Sequence, residues 1–214
     1  SVFKKQGHHM NQETIDRLRE NFRGELSSDA DLLSKMSSDA SIFQVMPELV
    51  ATPADEEDLK TLVRNARHLK ESGADISLTP RAGGTCMSGG SLTQSVIVDM
   101  KPGFNWVGDF DTAKRTAWVG SGTYYRDFEK AAAKHELLFA PYSSSKDICV
   151  IGGMIGNNAS GEKSFRYGAT VDNVIALKMV CPDGNEYEFS SLSPRELRET
   201  LSYEGFEVDL NRQL

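Results

Sequence analysis

Apolar and polar positions along the chain change period several times, and each change predicts an element. Residues 11 to about 26 carry Ile15, Leu18 and Phe22 at helical spacing, which predicts an amphipathic N-terminal helix. Ser27-Ser28-Asp29 offers cap chemistry for a second, short helix through Met36. Met46-Pro47-Glu48-Leu49-Val50-Ala51 reads as the entry to a strand. Thr52-Pro53-Ala54-Asp55 then supplies a hydroxyl N-cap, a proline at the first helical position and an acid at the third. The helix it starts is expected to run to about Glu71, with Leu59, Leu62, Val63, Ala66 and Leu69 on one face and Ser72-Gly73 as its stop. Residues 74–79 alternate as a half-buried strand does, and Ser95-Val96-Ile97-Val98-Asp99-Met100 is short and β-branched like a buried one. Strand, capped helix, strand in this order predicts a βαβ unit with parallel strands.

Beyond Met100 the texture turns to strands and turns. Residues 105–110 and 115–119 are strand-like around a turn at 109–114, and 120–123 lead into a helix over 124–135 that buries Phe128, Ala131 and Ala132. Residues 174–181 and 186–189 form a hairpin about Pro182-Asp183-Gly184-Asn185. Ser193-Pro194-Arg195-Glu196 is a capping box that opens a helix to about Leu201, and 204–214 carry no clear pattern.

Composition narrows the class. A chain of 214 residues with 39% hydrophobic and 26% charged side chains can bury one ordinary core or two small lobes. A net charge of −7 argues against a dedicated nucleic-acid or anionic-membrane binder. No apolar run reaches transmembrane length, and residues 1–10 hold basic residues without the apolar stretch of a secretory signal. His8 and His9 are given no chemistry. His68 on the long helix and His135 at a helix C-terminus read as structural. Cys86, Cys149 and Cys181 show neither a C-x-x-C pair nor zinc spacing, and an odd count suits a reducing compartment. Cys86 reads as a small, tolerant side chain, with no second thiol or base beside it.

Two stretches carry candidate chemistry. Residues 80–90, Pro-Arg-Ala-Gly-Gly-Thr-Cys-Met-Ser-Gly-Gly, hold four glycines in eleven positions between two predicted strands. Glycine there allows positive φ and close approach of a ligand, and successive N–H groups make an anion nest suited to phosphate or pyrophosphate. Thr85 and Ser88 add hydroxyls, and Arg81 places a cation at the edge. A glycine-rich turn without a ligand is the plain alternative. The second stretch runs from Ala140-Pro141-Tyr142-Ser143-Ser144-Ser145 through Val150-Ile151-Gly152-Gly153-Met154-Ile155-Gly156-Asn157-Asn158-Ala159-Ser160-Gly161. Its small residues clear a surface, and its Asn and Ser side chains suit a polar planar ring. Helix packing through small residues explains the glycines but not Asn157, Asn158 and Ser160. A transmembrane GxxxG reading of Gly152 and Gly156 fails at Asn157-Asn158. A Walker A reading of 156–161 fails because Glu162 stands where the lysine belongs, which also argues against NTPase chemistry.

Together the two stretches resemble the FAD-binding domain of the vanillyl-alcohol-oxidase and p-cresol-methylhydroxylase class of flavoproteins. The match runs from about residue 39 to 189 through Thr52-Pro53, Arg81-Ala82-Gly83-Gly84-Thr85, Ile151-Gly152-Gly153-Met154-Ile155, Arg166-Tyr167-Gly168 and Pro182-Asp183-Gly184. Residues 156–161 look most like the branch of glycolate oxidase subunits and D-lactate and D-2-hydroxyglutarate dehydrogenases. The resemblance implies an α+β fold in two lobes. An N-terminal helical segment (1–38) would precede a small βαβ lobe with parallel strands (39–103). A larger lobe (104–214) would carry a mixed or antiparallel sheet with flanking helices. FAD would lie extended between the lobes. Arg81, Ala82, Gly83, Gly84, Thr85, Cys86, Met87, Ser88 and Gly89, on to Gly90, would wrap its pyrophosphate. Pro141, Ser144, Ser145, Gly152, Gly153, Gly156, Asn157, Asn158, Ser160 and Gly161 would line its ribityl chain and flavin, while Tyr167 and Val174 would help hold the nucleotide end. Covalent members of the class carry histidine where this chain has Thr85, so non-covalent FAD is expected. The resemblance further implies a dehydrogenase that oxidises a 2-hydroxy acid and passes electrons to a separate acceptor, cytoplasmic or peripheral at the inner face of the membrane. Its substrate pocket and catalytic residues would belong to a cap domain beyond Leu214. A non-catalytic nucleotide-binding module working with a partner chain is the second reading.

Overall fold

A computed structural model describes residues 10–213; the N-terminal basic stretch with His8 and His9 lies outside them. The first helix, α1 (Gln12–Arg19), is capped by the Asn11 side chain and ends well before residue 26. Glu20 turns extended and Asn21 takes φ +57°, so the chain leaves the helix and enters a three-residue strand, β1 (Glu25–Ser27). A Cβ at Gly24 would overlap the Thr52 carbonyl, which lets β1 lie antiparallel to β2 (Leu49–Thr52). Between them α2 (Ala30–Met36) is capped by Asp29 as expected.

The long helix α3 (Glu56–Glu71) starts three residues later than the proline signal suggests. Thr52 is occupied as the last residue of β2, paired with Glu25, and Asp55 takes over as N-cap by accepting the Asp58 N–H at 3.0 Å. Ser72 and Gly73 (φ +94°) end the helix. The following strand, β3 (Leu78–Arg81), begins later than residue 74 and tolerates Pro80 because it lies at the sheet edge. β4 (Val96–Asp99) pairs parallel with both β2 and β3, giving the order β1-β2-β4-β3. The two strands of the βαβ unit are therefore parallel but not neighbours. Leu18, Phe22 and Leu26 share one buried core with Leu62, Val96 and Val98, so the N-terminal stretch, expected as a segment of its own, is part of this layer.

The second half holds two antiparallel hairpins, β5 (Val107–Asp111) with β6 (Thr116–Val119), and β7 (Ala176–Val180) with β8 (Glu186–Ser190). Among the described residues they form separate two-stranded sheets rather than one larger sheet. Their helices are α4 (Tyr125–Ala133), α5 (Ile151–Gly156), α6 (Ser164–Tyr167), α7 (Pro194–Thr200) and α8 (Phe206–Gln213), the last in a stretch where the sequence gives no pattern. A core of Tyr125, Phe128, Tyr142, Ile151 and Met154 lies under the first hairpin. The α+β class, with parallel strands in one half and antiparallel strands in the other, is as expected. No described helix is long and apolar enough to cross a membrane.

Backbone contacts at small residues join the halves. The Gly122 N–H donates to Phe104 O, and a Cβ there would overlap the Met100 carbonyl just past β4. Buried Thr123 fixes the same corner, its Oγ1 donating to Trp106 O at 2.9 Å and accepting the Trp106 N–H at 3.0 Å.

Candidate functional site

The two glycine-rich stretches, 80–90 and 140–161, are far apart in the chain and meet in space. A Cβ at Gly83 would lie 2.7 Å from Ile148 O and 3.4 Å from Val150 Cγ2, and one at Gly153 would lie 3.3 Å from Ala82 Cβ. Absent side chains thus let the loop after β3 rest directly on the chain that enters α5.

The loop itself is held open. Gly84 and Gly89 have φ of +67° and +77°, in the left-handed region that favours glycine. Among the described residues, no backbone N–H from Gly83 to Ser91 donates to a protein oxygen. Such groups seek partners, and a row of them on a glycine loop is a cradle for an anion. Cys86 Sγ and Ser88 Oγ are 3.0 Å apart, and the Ser88 hydroxyl, followed by loop N–H groups, lowers the thiol pKa below its ordinary value. Thr85 is half-buried, and Met87 stands out at 83% exposure.

Arg81 is not a free cation at the edge. It is 7% exposed and turned inward, onto the Met36 and Ser38 carbonyls and the Ser91 hydroxyl. Burial lowers its pKa, and the charges of Asp39 and Asp99 work against that. A partly exposed cation at the start of the loop is Lys101, ion-paired with Asp99: its Nζ lies 2.7 Å from Asp99 Oδ1 and 3.3 Å from Ala82 O. Sequence reasoning missed it, although a lysine two residues past the aspartate that ends a buried strand is the signal that was there.

In the second stretch, a Cβ at Gly161 would overlap the Tyr142 carbonyl, pinning 161 against the 140–145 segment. Pro141 is buried, Ser144 exposed, and the Ser143 and Ser145 hydroxyls are 2.8 Å apart. Gly152 packs on Ser121, whose carbonyl takes its N–H, while Gly156 faces open space. Asn157 caps α5 and is exposed, as is Ser160. The Asn158 side-chain Oδ1 accepts the Val171 N–H at 3.0 Å and is spent on the fold, leaving the side-chain Nδ2. Tyr167 is half exposed with Arg166 over its ring.

Val174 is not brought to the loop. It lines an apolar cavity of about 1480 Å³ between α3, both hairpins and the inner face of α5, which none of residues 82–90 borders. Val98, Phe128, Phe139, Ile151 and Met154 make an apolar wall, while charged side chains such as Lys70, Arg115 and Lys178 also border the cavity. This cavity and the anion cradle are separate places. Among the described residues no group of three His, Cys, Asp or Glu side chains is placed to hold a metal.

Residues 47–190 match the FAD binding domain family, and the chain belongs to it. The chain is 32% identical over 197 residues to a D-2-hydroxyglutarate dehydrogenase of Pseudomonas putida, covering 90% of this chain and 19% of that protein. It is 28% identical over 167 residues to the glycolate oxidase subunit GlcD of Escherichia coli, covering 78% of this chain and 32% of that one. An alkyldihydroxyacetonephosphate synthase structure shares the fold at a TM-score of 0.74 and 20% identity, over 89% of this chain and 40% of its own. The chain therefore spans about a fifth to a third of the length of these curated relatives.

Proposed function

We propose that this chain holds FAD non-covalently within a flavin-dependent dehydrogenase that oxidises a 2-hydroxy acid and passes the electrons to a separate acceptor. The observation that carries the reading is the row of N–H groups from Gly83 to Ser91 that donate to no protein oxygen, set against residues 148–153. Two linked phosphates suit such donors, and Lys101 beside Ala82 O adds positive charge at the start of the loop. Residues 141–145 and 156–161 supply hydroxyls, amides and open space for the ring end. The bound flavin supplies the two-electron redox chemistry, and the chain's part is to bind it, orient it and set its electrostatics. The odd cysteine count fits a cytoplasmic setting.

Thr85 offers no imidazole for a histidyl link. Acid precipitation of the loaded protein is expected to leave all flavin in the supernatant, and flavin on the pellet would overturn the non-covalent assignment. Titration is expected to favour FAD over FMN, since the loop is long enough for two phosphates; equal affinities would count against it.

A second expectation concerns turnover. Hydride transfer requires the substrate carbon held within about 3–3.5 Å of its acceptor, with a base on the hydroxyl and a cation on the carboxylate. His135 is stacked on Phe110 at 4.6 Å, His68 lies on the exposed side of α3, and Arg166 covers Tyr167. The 214-residue chain loaded with FAD is therefore expected not to reduce its flavin with D-lactate, glycolate or D-2-hydroxyglutarate under anaerobic mixing. Bleaching within seconds by any of the three would place a complete active site in these residues.

A further inference from the structure

Arg81 closes β3, and its main chain starts the glycine loop: its carbonyl accepts the Met100 N–H and its residue pairs with Asp99. Its side chain turns back beneath the loop. One guanidinium nitrogen donates to Ser38 O at 2.7 Å, and the other reaches Ser91 Oγ at 3.2 Å and Met36 O at 3.4 Å. Met36 ends α2, whose last carbonyls lack helical partners and favour a cation. Ser91 Oγ in turn donates to Asp39 Oδ2 at 3.3 Å, and Asp39 Oδ1 accepts the Ser41 N–H at 2.8 Å. Gly84 lies on the guanidinium so closely that a Cβ there would overlap it, and a Cβ at Gly89 would touch the Phe43 ring at 3.0 Å. One planar side chain thus joins the start of the loop, its far end and the segment after α2.

We propose that Arg81 is a positioning residue: it fastens the glycine loop to residues 36–43 and so makes that segment part of the cofactor site. The proposal rests on the reading of the loop as the pyrophosphate cradle. Its charge is taken up by carbonyls and by Asp39, so the phosphates are left to the loop N–H groups and Lys101. What Arg81 contributes is the shape in which those groups are presented. A rigid fork of five donors can meet two carbonyls and a hydroxyl at once, and a lysine ammonium on a flexible stem cannot hold all three.

The test uses the full chain, with hydrogen–deuterium exchange at saturating FAD, where the loop N–H groups have phosphate partners to lose, and with FAD titration and the melting temperature measured side by side. In Arg81→Met, exchange is expected to rise in both 37–46 and 82–92 while α4 and the β7–β8 hairpin stay protected. FAD affinity is expected to fall about 10–100-fold, the scale of one lost hydrogen-bonded charge. Arg81→Lys should restore protection at 37–46 but not at 82–92, which a merely structural charge would not separate. Ser91→Ala removes the guanidinium contact at the far end of the loop together with the bond to Asp39, keeps both Arg81–carbonyl bonds, and serves if Arg81→Met does not fold; exchange should then rise more in 82–92 than in 37–46. Unchanged exchange in both stretches, or loosened stretches with wild-type FAD affinity, would overturn the proposal. If the wild-type chain binds no FAD, the cofactor reading fails, and with it the role assigned to Arg81 at that site.

Discussion

Asp58→Ala is expected to destabilise the fold by about 3–4 kcal/mol, the cost of leaving several buried donors unmade. For a chain of this size that corresponds to a fall in melting temperature of about 10 °C. Asp58 is 1% exposed and is a hub for the backbone. Its Oδ1 accepts the Arg23 N–H at 2.7 Å, and its Oδ2 accepts those of Gly24 at 2.8 Å and Ala54 at 2.9 Å. These three donors belong to the turn before β1 and the turn between β2 and α3. One carboxylate therefore holds the N-terminal strand, the sheet and the long helix in register. Alanine would leave all three N–H groups facing an apolar methyl, with too little room at Gly24 for the backbone to find another partner. Asp58→Asn separates shape from charge. It keeps the volume but turns an NH2 toward main-chain donors, so it should recover well under half of the loss. Thermal melts of the three proteins decide the matter, and a loss below about 1 kcal/mol for alanine would show that water replaces the carboxylate there.

Asp58 was not visible as a hub in the sequence, and the reason applies to most of what was missed. Elements whose signal is local were legible. The β7–β8 hairpin follows from Pro182-Asp183-Gly184-Asn185, with Gly184 at φ +79°, and α7 begins at a capping box in which Ser193 and Glu196 make both bonds. The sequence pattern runs the N-terminal helix on into β1, because three residues become a strand only through pairing with β2. The insertion of β4 between β2 and β3 is likewise a matter of which edges meet, and periodicity carries no such information. At the site the same division holds. Four glycines in eleven residues announce a loop built for close approach, whatever surrounds it. Two of the three partners of the Arg81 guanidinium, Ser38 and Met36, lie 43 and 45 residues back along the chain, so its inward turn could not be read from the motif. A buried arginine in a glycine loop looks, in one dimension, the same as a phosphate ligand.

Gly83→Val is expected to reduce FAD affinity at least about 100-fold while the far-UV spectrum stays that of the folded chain. Its argument is steric and does not depend on φ. The new Cβ would stand 2.7 Å from Ile148 O, and that carbonyl has little freedom to give way. The Ile148 and Cys149 N–H groups both donate to Ser145 O, and Cys149 O accepts the Tyr125 N–H, so this stretch is tied to the core from both sides. The loop must move instead, and it carries the N–H groups proposed to hold the phosphates away from residues 148–153. Overpacking of this kind costs about 1–3 kcal/mol, less than a domain's usual stability, so the chain should still fold. Gly83→Ala makes the same contact with one carbon and should give an intermediate loss. FAD titration by quenching of flavin fluorescence, paired with circular dichroism of each apo protein, reads both quantities. A folded Gly83→Val chain that binds FAD as tightly as the wild type would mean that the cofactor does not span the seam between the two glycine stretches.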